Sequence, residues 1–137
     1  MARDGILEQA TRFTMDDRRW PIVTISSPRW DVNILEFFDL VDACLGRGDM
    51  FATIHDIRGM PILDAAQRKK FADYIRLKGP QLRLRVAAHA VVVNSSIERG
   101  LVATVVWLIQ APFPMRVFAS MYEAESWVSK QLSKGRS

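Results

Sequence analysis

The segment 86–93, VAAHAVVV, is apolar at almost every position, and it constrains the fold of this chain more than any other segment. A strand with one face in water alternates apolar and polar residues, whereas a continuous apolar run is covered on both faces. Parallel sheets contain such strands, because helices pack on both of their sides. The sequence therefore predicts an α/β fold with this strand in the interior of the sheet.

Strand and helix patterns alternate on both sides of this segment. Apolar stripes at helical spacing predict the helices, and short runs rich in β-branched residues predict the strands. The predicted strands cover residues 9–15, 20–26, 50–57, 86–93 and 115–119, and the predicted helices cover residues 31–45, 64–78, 97–110 and 121–132. The order β-β-α-β-α-β-α-β-α predicts a mostly parallel mixed sheet with an opening β-hairpin and flanking helices.

We expect residues 1–137 to form a single domain, because no repeat, linker or low-complexity segment divides the chain. The length is also that of one domain. The core is expected at about residues 10–132, and residues 133–137 are expected to be a flexible basic tail.

The helix predicted at residues 64–78 has clear signals at both ends. Asp64 and Gln67 have the spacing of a capping box, and Gly79-Pro80 is a typical helix stop. The stripe expected to face the sheet consists of Leu63, Ala66, Phe71, Tyr74 and Leu77.

Positive charge is the compositional bias that bears on a partner. The chain has 19 Lys and Arg against 15 Asp and Glu, a net charge of +4 at pH 7. The excess is mild and no recognition motif accompanies it, so nucleic acid is not an expected partner. The cations gather at residues 68–85, where Asp73 is the one acidic residue. This stretch is either a contact surface for an acidic partner or membrane phosphates, or a solvated helix face, which is the plainer interpretation.

Cys44 is the single cysteine, so no internal disulfide can form, as is usual for proteins of reducing compartments. No run approaches the roughly 18 apolar residues that a membrane span needs. The first residues also lack the apolar stretch of a signal peptide. We therefore expect a cytoplasmic protein that is not an integral membrane protein.

Polar residues follow the predicted strands at the sheet edge where α/β proteins usually bind ligands. An enzyme hypothesis uses His55 and Asp56 with Asn94 and Ser95, but adjacent strand residues point to opposite faces and cannot pair directly. Structural roles explain them better: Asp56 binds loop amides, His55 is half-buried and Ser95 caps a helix. His89 is expected to be a satisfied core histidine. We expect no catalytic residues, no cofactor and no metal site.

The helix predicted at residues 97–110 is apolar nearly all round. We expect Val102, Val106 and Trp107 to contact either a second copy of the chain, as a homodimer, or an apolar ligand. An equal alternative buries this helix between the sheet and a flanking segment such as the N-terminal arm. Periodicity does not choose between these alternatives.

Two segments resemble motifs of the STAS domain, the fold of the bacterial anti-sigma-factor antagonists. In that family a strand closes on an aspartate, and a loop leads to an Asp-Ser-Ser-Gly helix start. Residues 56–64, DIRGMPILD, followed by two alanines, occupy that region. Residues 116–127, RVFASMYEAESW, resemble the family's final strand and the start of its last helix. Together with the order of elements, the resemblance covers about residues 12–132.

The resemblance implies one STAS-like domain with a non-catalytic regulatory or scaffold role, which binds a protein partner in bacterial signalling. In the phosphorylated antagonists a serine after the aspartate is the switch. Here Ala65 and Ala66 occupy the matching positions, so the resemblance implies a member without the phospho-acceptor serine. The implied partner-binding residues are Arg58, Gly59, Met60, Asp64, Ala65, Arg68 and Lys69.

Lipid-carrying proteins of the CRAL-TRIO kind have the same broad architecture and hold an apolar ligand beneath a mobile helix. The apolar helix at residues 97–110 therefore supports an alternative function. In that alternative the chain is a small apolar-ligand or lipid-binding domain.

Overall fold

The computed structural model describes residues 12–27, 33–59 and 63–136, which form five strands and five helices. The strands are β1 (Thr14–Asp16), β2 (Ile22–Ser26), β3 (Phe51–Asp56), β4 (Val86–Val92) and β5 (Met115–Phe118). The helices are α1 (Ile34–Leu45), α2 (Ala65–Leu77), α3 (Gly79–Arg85), α4 (Ser96–Ile109) and α5 (Met121–Arg136).

The strands form one mixed sheet in the order β1-β2-β3-β4-β5. β1 is antiparallel to β2, and every other neighbouring pair is parallel. The predicted α/β class, the mostly parallel sheet and the opening hairpin are therefore confirmed. The register places Ile25 beside His55, and Thr53 beside His89.

Helices cover both faces of the sheet, as the apolar run at residues 86–93 predicts. α1, α2 and α3 pack on the first face, where Val23, Ile25 and Phe51 are fully buried. α4 packs at the margin of the same face, where Val91 is buried. α5 covers the second face, where the buried strand residues are Ala52, Ile54, Ala88, Ala90, Val92 and Phe118.

Local sequence signals account for the beginnings of the helices. The side chain of Asn33 accepts a hydrogen bond from the amide of Leu35 at 3.1 Å, which caps α1. Asp64 and Gln67 form the predicted capping box of α2. The buried residues of α1 lie on one face of the helix and include Ile34, Phe37, Phe38 and Val41.

The predicted end of α5 is wrong, and the predicted order of elements lacks α3. Gly79-Pro80 does end α2, but α3 starts at once, with Pro80 in its first turn. Proline is tolerated there because the first turn needs no amide donor at that position. α5 continues to Arg136, four residues beyond its predicted end at Leu132, so most of the predicted tail is helical.

The predicted inward stripe of α2 is also wrong in phase. Leu77 is 78% exposed, and Ala66 is exposed as well, whereas Ile75 is buried. The stripe that faces the sheet contains Phe71, Tyr74 and Ile75, at the i, i+3, i+4 spacing of one helix face. The cations of α2, at positions 68, 69, 70 and 76, lie off this stripe and are exposed. Among the described residues, no helix is long and apolar enough to cross a membrane.

Candidate functional site

The loop after β3 holds the first of the predicted partner-binding residues. The carboxylate of Asp56 accepts hydrogen bonds from the Arg58 amide at 3.1 Å and from its guanidinium at 2.9 Å. This pairing raises the pKa of Arg58 and fixes the guanidinium against the sheet edge. Gly59 has a φ of 83°, which favours glycine. Met60, a further predicted partner-binding residue, lies outside the described residues.

The first turns of α2 hold the remaining predicted partner-binding residues. Asp64 serves as the N-cap, and Ala65 is exposed beside it. Lys69 pairs with Asp73 at 3.1 Å, and Arg76 approaches the same carboxylate at 3.5 Å. Arg68 has no ion-pair partner in the part of the chain that the structure describes. Its charge is therefore available to a ligand or partner.

A groove between α2 and α4 joins two surfaces that the sequence treats separately. Its volume is about 760 Å³. The α2 wall contributes Ala65, Arg68, Lys69, Ala72 and Arg76, and the α4 wall contributes Val105 and Ile109. We call this feature the α2–α4 groove. Sequence reasoning missed Ala72 and Val105 and placed Arg76 only in the basic run at residues 68–85, although the spacing 65, 68, 72, 76 is that of one helix face.

The α2–α4 groove combines an apolar floor with a basic edge. Ile75 is buried beneath it, while Val105 and Ile109 are half-buried along its wall. Residues 64–85 contain seven cations and two anions, so this segment alone carries +5, more than the +4 of the whole chain. The excess positive charge of the molecule therefore lies in this segment, and three of its cations, Arg68, Lys69 and Arg76, line the groove.

α4 is the least buried helix, despite its apolar sequence. None of its described side chains is buried, and Ile97, Leu101 and Trp107 are 79%, 58% and 73% exposed. The described part of α4 is thus not buried on several sides, and the alternative in which the N-terminal arm covers this helix rests on residues 1–11, which lie outside the described residues. An apolar helix left in this state is typical of an interaction surface.

The three residues predicted as the dimer or ligand face of α4 have different surroundings. Val102 and Val106 pack against the cluster of Val91 and other valines at the sheet margin. Trp107 points outward, and with Val106 it lines a second open groove of about 430 Å³ beside β5. Val106 and Trp107 do not line the α2–α4 groove. The side of α4 that faces α2 and the side that faces β5 therefore carry different residues.

A pair of buried histidines lies under α1, on the first face of the sheet. His55 and His89 are each 5% exposed, and their rings are 5.9 Å apart. His55 is thus buried rather than half-buried as predicted. Its Nε2 lies 2.7 Å from the hydroxyl oxygen of Ser27, a contact that sequence reasoning missed. Burial is the main cause that lowers the pKa of both rings, and that of His89 falls to about 4.

His89 is only partly the satisfied core histidine that was expected. Its Nδ1 is hydrogen-bonded to the hydroxyl of Thr53, its neighbour across the strands. Its Nε2 is buried without a hydrogen-bond partner among the described residues. A cavity of about 30 Å³ lies beside the ring, lined by Phe37, Phe71 and other apolar side chains.

The polar residues of the enzyme hypothesis have structural partners. Asp56 binds the loop amide and guanidinium of Arg58, and Ser95 caps α4 by accepting from the amide of Glu98 at 3.2 Å. The carboxylate of Glu98 accepts from the amide of Asn94. These contacts confirm the structural roles that the sequence predicts for Asp56 and Ser95.

Neither a metal cluster nor a known relative adds a role to this site. In residues 12–27, 33–59 and 63–136, no three His, Cys, Asp or Glu side chains are grouped to hold a metal ion. Comparisons with protein-family models, with curated proteins and with solved structures found no match to this chain.

Proposed function

We propose that this chain is a non-catalytic regulatory domain of the STAS-like kind, which binds a protein partner through α2, α4 and the loop at Arg58. The observation that carries the proposal is the apolar helix α4, which has no buried described side chain and lies beside the basic wall of α2. Exposing apolar surface is unfavourable unless a partner covers it, and large exposed patches often mark interaction sites.

The resemblance to STAS domains supports the same surface. It implies that the loop after β3 and the start of α2 contact the partner, and the start of α2 supplies Ala65, Arg68 and Lys69 to the α2–α4 groove. With alanines at positions 65 and 66, binding on this surface proceeds without a phosphoserine at those positions. The cations instead attract the partner before contact, and this attraction mainly sets the rate of association.

Charge reversal on this surface is the test of partner binding. The chain is used as bait in an extract of its own organism, and Arg68→Glu and Arg58→Glu baits are compared with it. We expect each reversal to lower partner recovery about tenfold or more, because a repulsive charge replaces an attractive one. Arg68→Glu is the cleaner change, since Arg58→Glu also breaks the pair with Asp56. Recovered proteins are quantified by mass spectrometry.

Lys70→Glu is the matched control for this experiment. Lys70 lies on α2 and is exposed, but it does not line the α2–α4 groove. This variant has the same net charge as Arg68→Glu and should recover the partner normally. A bait that recovers no partner, or a partner whose recovery is equal with all four baits, would count against the proposal.

A second candidate function is the binding of a small apolar ligand. The α2–α4 groove favours it, because a volume of about 760 Å³ lies within the roughly 300–1,000 Å³ of small-molecule sites, and its floor is apolar. Under this function, native mass spectrometry of the purified chain should show an added mass that organic solvent removes. A chain that carries no ligand in this experiment would exclude this candidate.

The same spectrum reports the oligomeric state. A dimer that Trp107→Glu converts into a monomer would assign the contact to the outer side of α4, as the sequence suggests for a homodimer. Because Trp107 is 73% exposed, this variant should fold normally.

A further inference from the structure

The α2 wall of the α2–α4 groove alternates small and charged residues along one helix face. Ala65 and Ala72 are two turns apart, and Arg68, Lys69 and Arg76 flank them. Small side chains let a neighbouring helix approach closely, because the distance between packed helices depends on the side chains at the contact. This wall is therefore shaped for an elongated occupant that lies along α2.

The α4 wall, on the other side of the groove, is apolar. Val105 and Ile109 are one turn apart on α4, and both are half-buried. Ile75 adds apolar surface to the floor between the helices. An occupant must therefore bring its own apolar side chains at helical spacing, since a purely polar one would leave this floor without a partner.

The charges of the groove indicate the sign of the charge that its occupant carries. Lys69 and Arg76 share the carboxylate of Asp73, and Arg68 has no acidic partner among the described residues. Three cations with one anion leave an uncompensated charge of +2 along the wall. A solvated basic face, the plainer interpretation of the sequence, does not account for the apolar floor between these cations. Together, the two features favour an occupant that is acidic on one side and apolar on the other.

We infer that the α2–α4 groove binds an acidic amphipathic helix of a partner protein. The helix lies along α2, places apolar side chains on Val105, Ile109 and Ile75, and places carboxylates beside Arg68, Lys69 and Arg76. This is the helix-in-groove mode of recognition, in which apolar anchors recur at i, i+3, i+4 and i+7. The inference rests on the proposed function, and it names the chemistry of the partner.

A set of designed peptides tests the inference on the full chain. Each peptide has about 16 residues, enough to span the groove, and carries a fluorophore. The first places Leu at i, i+3, i+4 and i+7 positions with Glu elsewhere, the second is a scrambled sequence of the same composition, and the third replaces Glu by Lys. We expect the first to bind about tenfold or more tightly than the other two in fluorescence anisotropy.

Two variants assign the binding to the groove. Arg68→Glu should weaken binding of the acidic amphipathic peptide about tenfold, while Lys70→Glu on the same helix should change it less than about twofold. Ala72→Trp fills the groove without changing the charge, and it should also weaken binding about tenfold. Circular dichroism melting confirms that each variant is folded before its affinity is measured.

Several results would overturn the inference. Equal weakening by Arg68→Glu and Lys70→Glu, or equal binding of the scrambled peptide, would show attraction by charge alone. Displacement of the peptide by a fluorescent fatty acid that binds more tightly would assign the groove to an apolar ligand. If no peptide binds, while a captured partner still requires Arg68, the helix inference fails and the proposed function stands.

Discussion

Replacing Phe37 by alanine is expected to lower the free energy of unfolding by about 3–5 kcal/mol, a large part of the 5–15 kcal/mol typical of a domain. Phe37 is 2% exposed and lies at the centre of the first-face core. Its ring stacks on His55 at 4.3 Å and contacts Phe13 and Phe71. The alanine would leave a cavity that these rings cannot close. Urea unfolding followed by circular dichroism measures the loss.

Leu35 on the same helix provides the control for Phe37. It is 51% exposed, so Leu35→Ala should change the free energy of unfolding by about 0.5 kcal/mol or less. Phe37→Leu keeps most of the volume and should cost less than about 1.5 kcal/mol, which gives a measurable value if the alanine variant does not fold. A Phe37→Ala variant that loses less than about 1 kcal/mol would contradict the burial described here.

Acidification from pH 7 to pH 5 is expected to lower the free energy of unfolding by at least about 2 kcal/mol. Burial lowers the pKa of His89 from 6.5 to about 4, and that of His55 is also well below 6.5. Below pH 6.5 the unfolded chain therefore binds protons that the folded chain does not, so stability falls until the folded pKa is reached. His89 alone accounts for about 2 kcal/mol over this range, and His55 adds to it.

The variant Thr53→Val/His89→Phe isolates the contribution of His89. It replaces both partners of the buried hydrogen bond by apolar groups, a change that costs less than leaving one partner unpaired. Its loss of stability between pH 7 and pH 5 should be smaller than that of the original chain by about 2 kcal/mol. Carboxylates with ordinary pKa values near 4 are still mostly ionised at pH 5 and contribute little. Identical pH profiles for the two proteins would be inconsistent with a buried neutral His89.

Much of the fold could be predicted because its signals are local. The continuous apolar run at residues 86–93 places β4 in the sheet interior, and every residue of β4 except Ala87 is buried. Asp64 and Gln67 identify the start of α2 because a capping box needs only four consecutive residues. The stripe of α1 is equally clear, since large side chains recur on one face of it.

The parts that escaped prediction depend on contacts between distant residues. Thr53 and His89 are 36 residues apart and meet because the register of β3 and β4 places them side by side. Ser27 reaches His55 in the same way, across two neighbouring strands. The predicted inward stripe of α2 was wrong because apolar residues lie on both faces of this helix, and the sequence therefore allows two different stripes. The packing of α2 against the sheet decides between them.

The candidate site was predictable in its pieces but not as a whole. Arg68 and Lys69 stand out in the sequence as part of a basic run, and the apolar character of α4 is equally plain. Their assembly into one groove follows from the position of α4 in space, which periodicity does not report. The packing of Val102 and Val106 against the valines at the sheet margin has the same origin.

The distribution of helices over the sheet has a consequence for synthesis of the chain. The four helices before β5 all lie on the first face, and the second face is covered by α5, which follows the last strand. As the chain leaves the ribosome, its N-terminal part can begin to order first. The alanine-rich, apolar second face stays open until residues 121–136 have emerged. A nascent chain that stalls before this point would expose the apolar second face of the sheet. Chaperones bind exposed apolar surface of this kind.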